Sequence, residues 1–133
     1  MGWLLRFREY AFALQAEIRN SKLFFMIGVP EVDRQYLRFL WPNPEGKITV
    51  WHLTKLPFGT NCSPFILNVV LRLHLSKEQK EARSSQEQDL IQLLKDSLYV
   101  DDCISSLPSK DEAESFPTTS TALLKKAGMD LRK

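Results

Sequence analysis

The stretch that decides the fold is Leu98-Tyr99-Val100-Asp101-Asp102-Cys103-Ile104, where two adjacent carboxylates lie between strand-forming apolar residues. Two neighbouring anions beside buried strand are unfavourable unless a positive charge neutralises them. Mg²⁺ would do so, because it prefers carboxylate, phosphate and water oxygens. The stretch therefore predicts a β-hairpin with a metal site at its turn. The alternative is an ordinary Asp-Asp turn that faces solvent, since Asp favours turn positions.

Length and composition predict one globular domain. The 133 residues are 44% hydrophobic and 26% charged, and the net charge of +2 permits nucleic-acid contact without predicting it. No apolar run is long enough to span a membrane, and Arg6 and Arg8 interrupt the apolar start, so we expect neither a membrane span nor a signal peptide. Cys62 and Cys103 do not make a disulfide framework, which favours an intracellular location, cytoplasmic or nuclear, with both thiols in the core.

The hydrophobic pattern predicts strands mixed with helices. Strands are expected at residues 12–18, 36–41 and 48–53 and on both sides of the Asp pair, and helices after Ser63-Pro64, at 88–95 and at 113–126. Pro117 predicts a kink or break in the last helix, and Gly128 its end. These elements predict an α+β fold, an antiparallel sheet with helices packed on one face, with an exposed connection at about 76–90.

Three segments, in this order, resemble the palm of a reverse transcriptase. They are Leu56-Pro57-Phe58-Gly59 followed by a helix, Tyr99-Val100-Asp101-Asp102 on a hairpin, and the residues 124–133. Further segments at 4–8, 27–31 and 37–41 are similar to the Pao/BEL class of long-terminal-repeat retrotransposons. The resemblance covers nearly all of residues 1–133. It implies a truncated polymerase palm that lacks most of the fingers and all of the thumb.

The resemblance implies metal-dependent nucleotidyl transfer by an RNA-directed DNA polymerase. Two Mg²⁺ ions, or Mn²⁺ in their place, activate the primer 3′-hydroxyl and stabilise the charge that develops on the attacking and leaving oxygens. Three carboxylates normally hold these ions. Here they would be Asp101 and Asp102 from the hairpin and Glu17 from the first strand, as both catalytic and metal-binding residues.

The resemblance also implies a nucleotide site. Phe24 would lie against the sugar, and Pro57, Phe58 and Gly59 would form the loop against which the nucleotide packs, since a glycine permits close approach. The implied partners are an RNA or DNA template–primer and deoxynucleoside triphosphates, without a membrane, and other segments of a retroelement polyprotein. Lys126 and Lys133 are candidates for phosphate contact, with a solvated helix end as the alternative.

The first carboxylate departs from the family pattern, which has Asp where this chain has Glu17. Alignment from Ile27-Gly28 instead puts Arg19 at that position, so the stretch from Arg19 to Leu23 is interpreted as holding a two-residue insertion. In an extended strand two residues span about 6–7 Å, far more than metal ligation tolerates. We therefore expect impaired catalysis in the isolated chain.

The alternative function is a non-catalytic binding module with the palm fold, or a retroelement remnant. Exposed aromatic residues such as Trp41 and Trp51 would favour association with a partner, whereas packing within a hairpin or core is the simpler interpretation. His52 and His74 have no partner at metal-ligand spacing, so both are expected to be structural.

Overall fold

The computed structural model describes residues 3–19 and 23–132. It has two compact units: Met1–Asn20 with Pro64–Lys133 form the first unit, and Ser21–Ser63 form the second. Each unit holds an antiparallel sheet, and helices accompany both, so the α+β class predicted from the sequence is confirmed.

The elements follow one another in chain order. They are α1 (Trp3–Arg6), β1 (Phe12–Ile18), α2 (Leu23–Met26), a 3₁₀ helix (Glu31–Leu37), β2 (Arg38–Pro42), β3 (Ile48–His52), α3 (Ser63–Glu81), α4 (Ser85–Ser97), β4 (Leu98–Tyr99), β5 (Asp102–Leu107), α5 (Lys110–Lys126) and β6 (Leu131–Arg132). The predicted connection at 76–90 is thus mostly the end of α3 and the start of α4.

The four-stranded sheet of the first unit has the order β4-β5-β1-β6, and neighbouring strands are antiparallel. Successive side chains of a strand point to opposite faces. Ala16 and Ile18 share the face on which Cys103 is buried, because Ala16 pairs with Cys103. Glu17 therefore points to the other face, which we call the open face.

The core of the first unit comes mainly from leucines on three helices. Its buried side chains include Leu67, Leu71, Leu75, Ile91, Leu94, Phe116, Leu123 and Leu124. On α3 the sequence predicts apolar surface at Phe65, Val69, Leu71, Leu73 and Leu75. Leu71 and Leu75 are buried, whereas the other three are exposed. Their stripe is offset by two residues, about 200° around the helix, from the buried one, so the two stripes lie on nearly opposite sides of α3.

The helix ends follow local chemistry, with one exception. Ser109 caps α5 by accepting a hydrogen bond from the Glu112 amide at 3.3 Å. Gly128, with φ of +73°, ends that helix as predicted, and the Met129 amide donates to the Leu124 carbonyl at 3.0 Å. Of the predicted kink or break at Pro117, the break is wrong, because α5 runs through that residue without interruption.

The second unit is built around the β2–β3 hairpin. Its register pairs Phe39 with Trp51 and Leu40 with Val50, as the predicted hairpin requires. The Asn43 side chain orders the turn by accepting hydrogen bonds from the backbone amides of Glu45 at 3.1 Å and Lys47 at 2.9 Å. Most of the hairpin side chains, including both tryptophans, are exposed, so Trp41 and Trp51 do not pack in a core. Packing within the hairpin, the other form of that expectation, accords with the pairing of Phe39 with Trp51.

Candidate metal and nucleotide site

The hairpin that carries the acidic pair differs from the predicted Asp-Asp turn by one residue. Tyr99 pairs with Asp102, so the two turn residues are Val100 and Asp101, and Asp102 is the first residue of β5. Val100 has φ of +54°, a left-handed conformation that costs a β-branched residue energy. A positive φ at the first turn position normally calls for glycine. The turn therefore holds a strained backbone directly beside the carboxylates.

The register brings the first-strand carboxylate to the hairpin. Glu17 pairs with Asp102 across β1 and β5, and directly opposite residues of an antiparallel pair point to the same face. The Ile18 amide donates to the Asp101 carbonyl at 2.7 Å, which fixes the turn against β1. Glu17, and not Arg19, therefore lies opposite Asp102. The predicted insertion falls mostly on residues 20–22, outside the described residues.

A row of four side chains crosses the open face at this level. It runs Tyr99, Asp102, Glu17, Arg132, because Glu17 also pairs with Arg132 of β6. We call it the acidic row. Directly opposite Cβ atoms lie about 4.5–5.5 Å apart. The Arg132 side chain therefore begins opposite Glu17, on the side away from Asp102.

Sequence patterns do not indicate Arg132 as a residue of the site. Its only local signal is Asp130, two residues earlier, whose carboxylate accepts a hydrogen bond from Arg132 Nε at 2.6 Å. That spacing is common on surfaces and does not indicate a site. The proximity to Glu17 arises only from the pairing of β6 with β1, two strands that are more than 100 residues apart.

The negative charge of Asp102 affects the pKa of the next residue, Cys103. Burial, and next the negative charge of Asp102, raise the pKa of the Cys103 thiol to about 12. Cys103 is buried on the core face, as predicted, while Asp102 is half-buried on the open face. Cys62, predicted to be a core thiol as well, is exposed.

The donor chemistry of the acidic row fits a hard divalent cation. Asp102 and Glu17 offer carboxylate oxygens from two adjacent strands, and Asp101 adds a third acidic residue at the turn. No group of three or more His, Cys, Asp or Glu side chains within residues 3–19 and 23–132 is arranged to hold a metal ion. The arrangement thus brings together one pair of carboxylates on a common face and leaves the third on the adjoining turn.

The predicted nucleotide-binding residues all belong to the second unit. Phe24 and Phe25 of α2 both meet the ring of Phe58 edge to face, with centroids 4.8 and 5.4 Å apart. Phe24 is only 5% exposed, whereas Phe58 is 48% exposed. Phe58 therefore offers much more ring surface to a ligand than Phe24 does.

The loop around Pro57 and Gly59 is held by the residue that begins α3. Ser63 Oγ donates to the Pro57 carbonyl at 2.6 Å, so this hydroxyl fastens the loop. Gly59 has φ of +80°, and a Cβ placed there would meet no atom within 4 Å. Within the chain, glycine is therefore required at this position by backbone conformation and not by close approach.

Two other predicted positions have structural partners. Lys126 forms an ion pair with Glu78, whose hydrogen bond is the main cause of the raised pKa of Lys126. His74 Nε2 hydrogen-bonds with the Leu123 carbonyl at 2.8 Å, which confirms a structural role. Lys133 lies outside the described residues.

Comparison of the chain with protein-family models and with curated proteins finds no match. Across the part of the chain that the structure describes, no helix combines the length and apolar character that crossing a membrane requires.

Proposed function

We propose that the chain is a reverse transcriptase palm of the Pao/BEL retrotransposon class, an RNA-directed DNA polymerase domain with impaired activity in isolation. The pairing of Glu17 with Asp102 on the open face carries the proposal. It supports a shared site for carboxylates from a first strand and a later hairpin, the arrangement that the resemblance implies. An intracellular location accords with this function.

Two groups of residues would bind the metal ions and the nucleotide. Asp101, Asp102 and Glu17 would hold Mg²⁺ or Mn²⁺, which when bound supplies activation of the 3′-hydroxyl and charge stabilisation. Phe58 would offer its exposed ring to the nucleotide, and Pro57 and Gly59 would shape the loop beside it. The template–primer would supply phosphates, and the deoxynucleoside triphosphate the reacting group.

Two features of the acidic row weaken that chemistry. Glu17 is one methylene longer than the aspartate of the family pattern, so its carboxylate lies farther from the strand. Arg132, whose guanidinium bonds Asp130, pairs with Glu17 across β6 and β1, and its positive charge at this level of the sheet would repel a divalent cation. Both features support low activity and not a different reaction.

A primer-extension assay with Mg²⁺ or Mn²⁺ tests the proposal. We expect weak extension from the natural chain, more from Glu17→Asp, which restores the family residue, and none from Asp101→Asn in either background. Extension that survives Asp101→Asn would overturn the proposal, because the activity would then come from another source. A Glu17→Asp chain that neither extends primers nor binds Mn²⁺ would also overturn it.

One observation favours a second candidate, a non-catalytic binding module. The hairpin of the second unit exposes Phe39, Trp41 and Trp51, which catalysis at the acidic row does not use. A chain that binds nucleic acid but shows no extension with Glu17→Asp would support this candidate over the polymerase.

A further inference from the structure

Three aromatic rings lie together on one side of the β2–β3 hairpin. Phe39 pairs with Trp51, and Trp41 follows two residues along β2, so all three point to one face, which we call the aromatic face. The side chains are 42%, 47% and 61% exposed for Phe39, Trp51 and Trp41. They line an open cleft of about 480 Å³. Exposed aromatic side chains that cluster in this way favour association with a partner.

The opposite side of the hairpin has a different character. Leu40, Val50 and Ile48 point there, and they are exposed to a similar degree. We call it the aliphatic face. The separation of rings from aliphatic groups indicates that the aromatic face selects a partner with flat π surfaces and not a general apolar partner.

Charge points to the same class of partner. Residues 21–63 contain five Lys and Arg but three Asp and Glu, whereas the remainder of the chain has thirteen of each. The second unit therefore carries the whole net positive charge. The Asn43 amide donates to the Lys47 carbonyl at 2.8 Å, which extends the pairing and puts Lys47 on the aromatic face. One basic side chain, Lys47, beside exposed rings in a unit of net positive charge suits a polyanion whose bases stack.

We propose that the aromatic face binds single-stranded nucleic acid, with bases stacked on its rings and the phosphate backbone near Lys47. Phe39 and Trp41 are two strand residues apart, about 7 Å, which is twice the spacing of stacked bases and leaves room for one base between them. This binding rests on the second candidate function, the non-catalytic binding module, and names its partner. It requires neither the acidic row nor a divalent cation, so it can be tested apart from polymerase activity.

Fluorescence anisotropy of a labelled single-stranded DNA oligonucleotide, titrated with the full chain in EDTA, tests the proposal. Trp41→Ala should weaken binding by about 5- to 150-fold, the range that loss of one stacked base gives. Trp41→Phe retains a ring and should keep most of the affinity. Leu40→Ala, at a residue 68% exposed on the aliphatic face, is the matched control and should change affinity by less than about twofold.

Three results would overturn the proposal. The first is that the natural chain fails to bind the oligonucleotide. The second is that Trp41→Ala and Leu40→Ala weaken binding equally. Alternatively, sedimentation would show a dimer that Trp41→Ala disrupts while DNA affinity stays unchanged, which would make a second copy the occupant. Because EDTA removes divalent cations, none of these results bears on Mn²⁺ binding at the acidic row, and the two proposals fail separately.

Discussion

The four-stranded sheet of the first unit and the β2–β3 hairpin are both antiparallel, yet the sheet buries its apolar side chains on one face and the hairpin exposes them on both. In the sheet, Ile18 and Cys103 are buried on one face, and the open face carries the acidic row. In the hairpin, both faces are apolar and both are exposed. The sheet therefore gains stability from burial, whereas the apolar hairpin residues serve no core of their own and are available for binding.

The same contrast explains how each register is fixed. A slip of one residue in β1 would bury Glu17 and expose Ile18, so burial specifies the pairing of the sheet. The hairpin has no such penalty, because its two faces are equally apolar. Its register depends on the Asn43 turn instead.

The two cysteines, one in each unit, give the largest expected difference. At pH 8 we expect a maleimide to label exposed Cys62 and to react with Cys103 more slowly by orders of magnitude, because Cys103 is buried and burial raises its pKa to about 12. Mass spectrometry of the native chain should show one label, and none in Cys62→Ser. Equal labelling of both thiols would contradict the buried face of the sheet.

The raised pKa of Cys103 also gives a pH dependence of stability. The folded pKa lies above the unfolded value of 9.0, so the folded state holds the thiol proton more tightly. The resulting stabilisation is complete below pH 9 and is lost as pH rises towards 12. Urea unfolding of Cys103→Ala should lack this loss.

Truncation of an apolar strand residue should destabilise the chain more in the first unit than in the second. Ile18 is 0% exposed, and Ile18→Ala should lower the free energy of unfolding by about 2–5 kcal/mol. Val50→Ala, on the exposed aliphatic face, should change it by less than about 0.5 kcal/mol. Urea unfolding measures both, and similar losses would show that the hairpin is buried to the same extent as the sheet.

A substitution in the strained turn should stabilise the chain instead of destabilising it. Val100→Gly relieves a left-handed valine and should raise the free energy of unfolding by about 1 kcal/mol. Val50→Gly, the same change within β3, should lower it by about 0.5–1 kcal/mol. If both variants lose stability in urea, the φ of Val100 is not strained.

The smallest expected effect is that of the Arg132 side chain on Mn²⁺ affinity. Arg132→Ala removes a positive charge from the acidic row and should tighten Mn²⁺ binding by about two- to tenfold. Arg8→Ala, also exposed in the first unit but outside the row, is the control. An unchanged Mn²⁺ affinity in Arg132→Ala would place the guanidinium too far away to influence the site.

Local signals predicted the strands, the β2–β3 hairpin and the end of α5 at Gly128, because turn residues and alternating hydrophobicity act over a few positions. They failed where distant contacts decide. The choice of Leu67 over Phe65 as a buried residue of α3, the helix that continues through Pro117, and the position of Arg132 beside Glu17 depend on packing or strand pairing. Glu17 and Asp102 were predicted together only because the family resemblance supplied the pairing.

Mn²⁺ binding to the full chain, followed by the paramagnetic resonance signal of the free ion, tests the acidic row most directly. We expect saturable binding that Asp102→Asn and Glu17→Gln each weaken strongly, while Asp111→Asn, an exposed carboxylate in the first turn of α5, leaves it unchanged. Absence of saturable binding, or equal binding by all four chains, would contradict a metal site shared by β1 and β5.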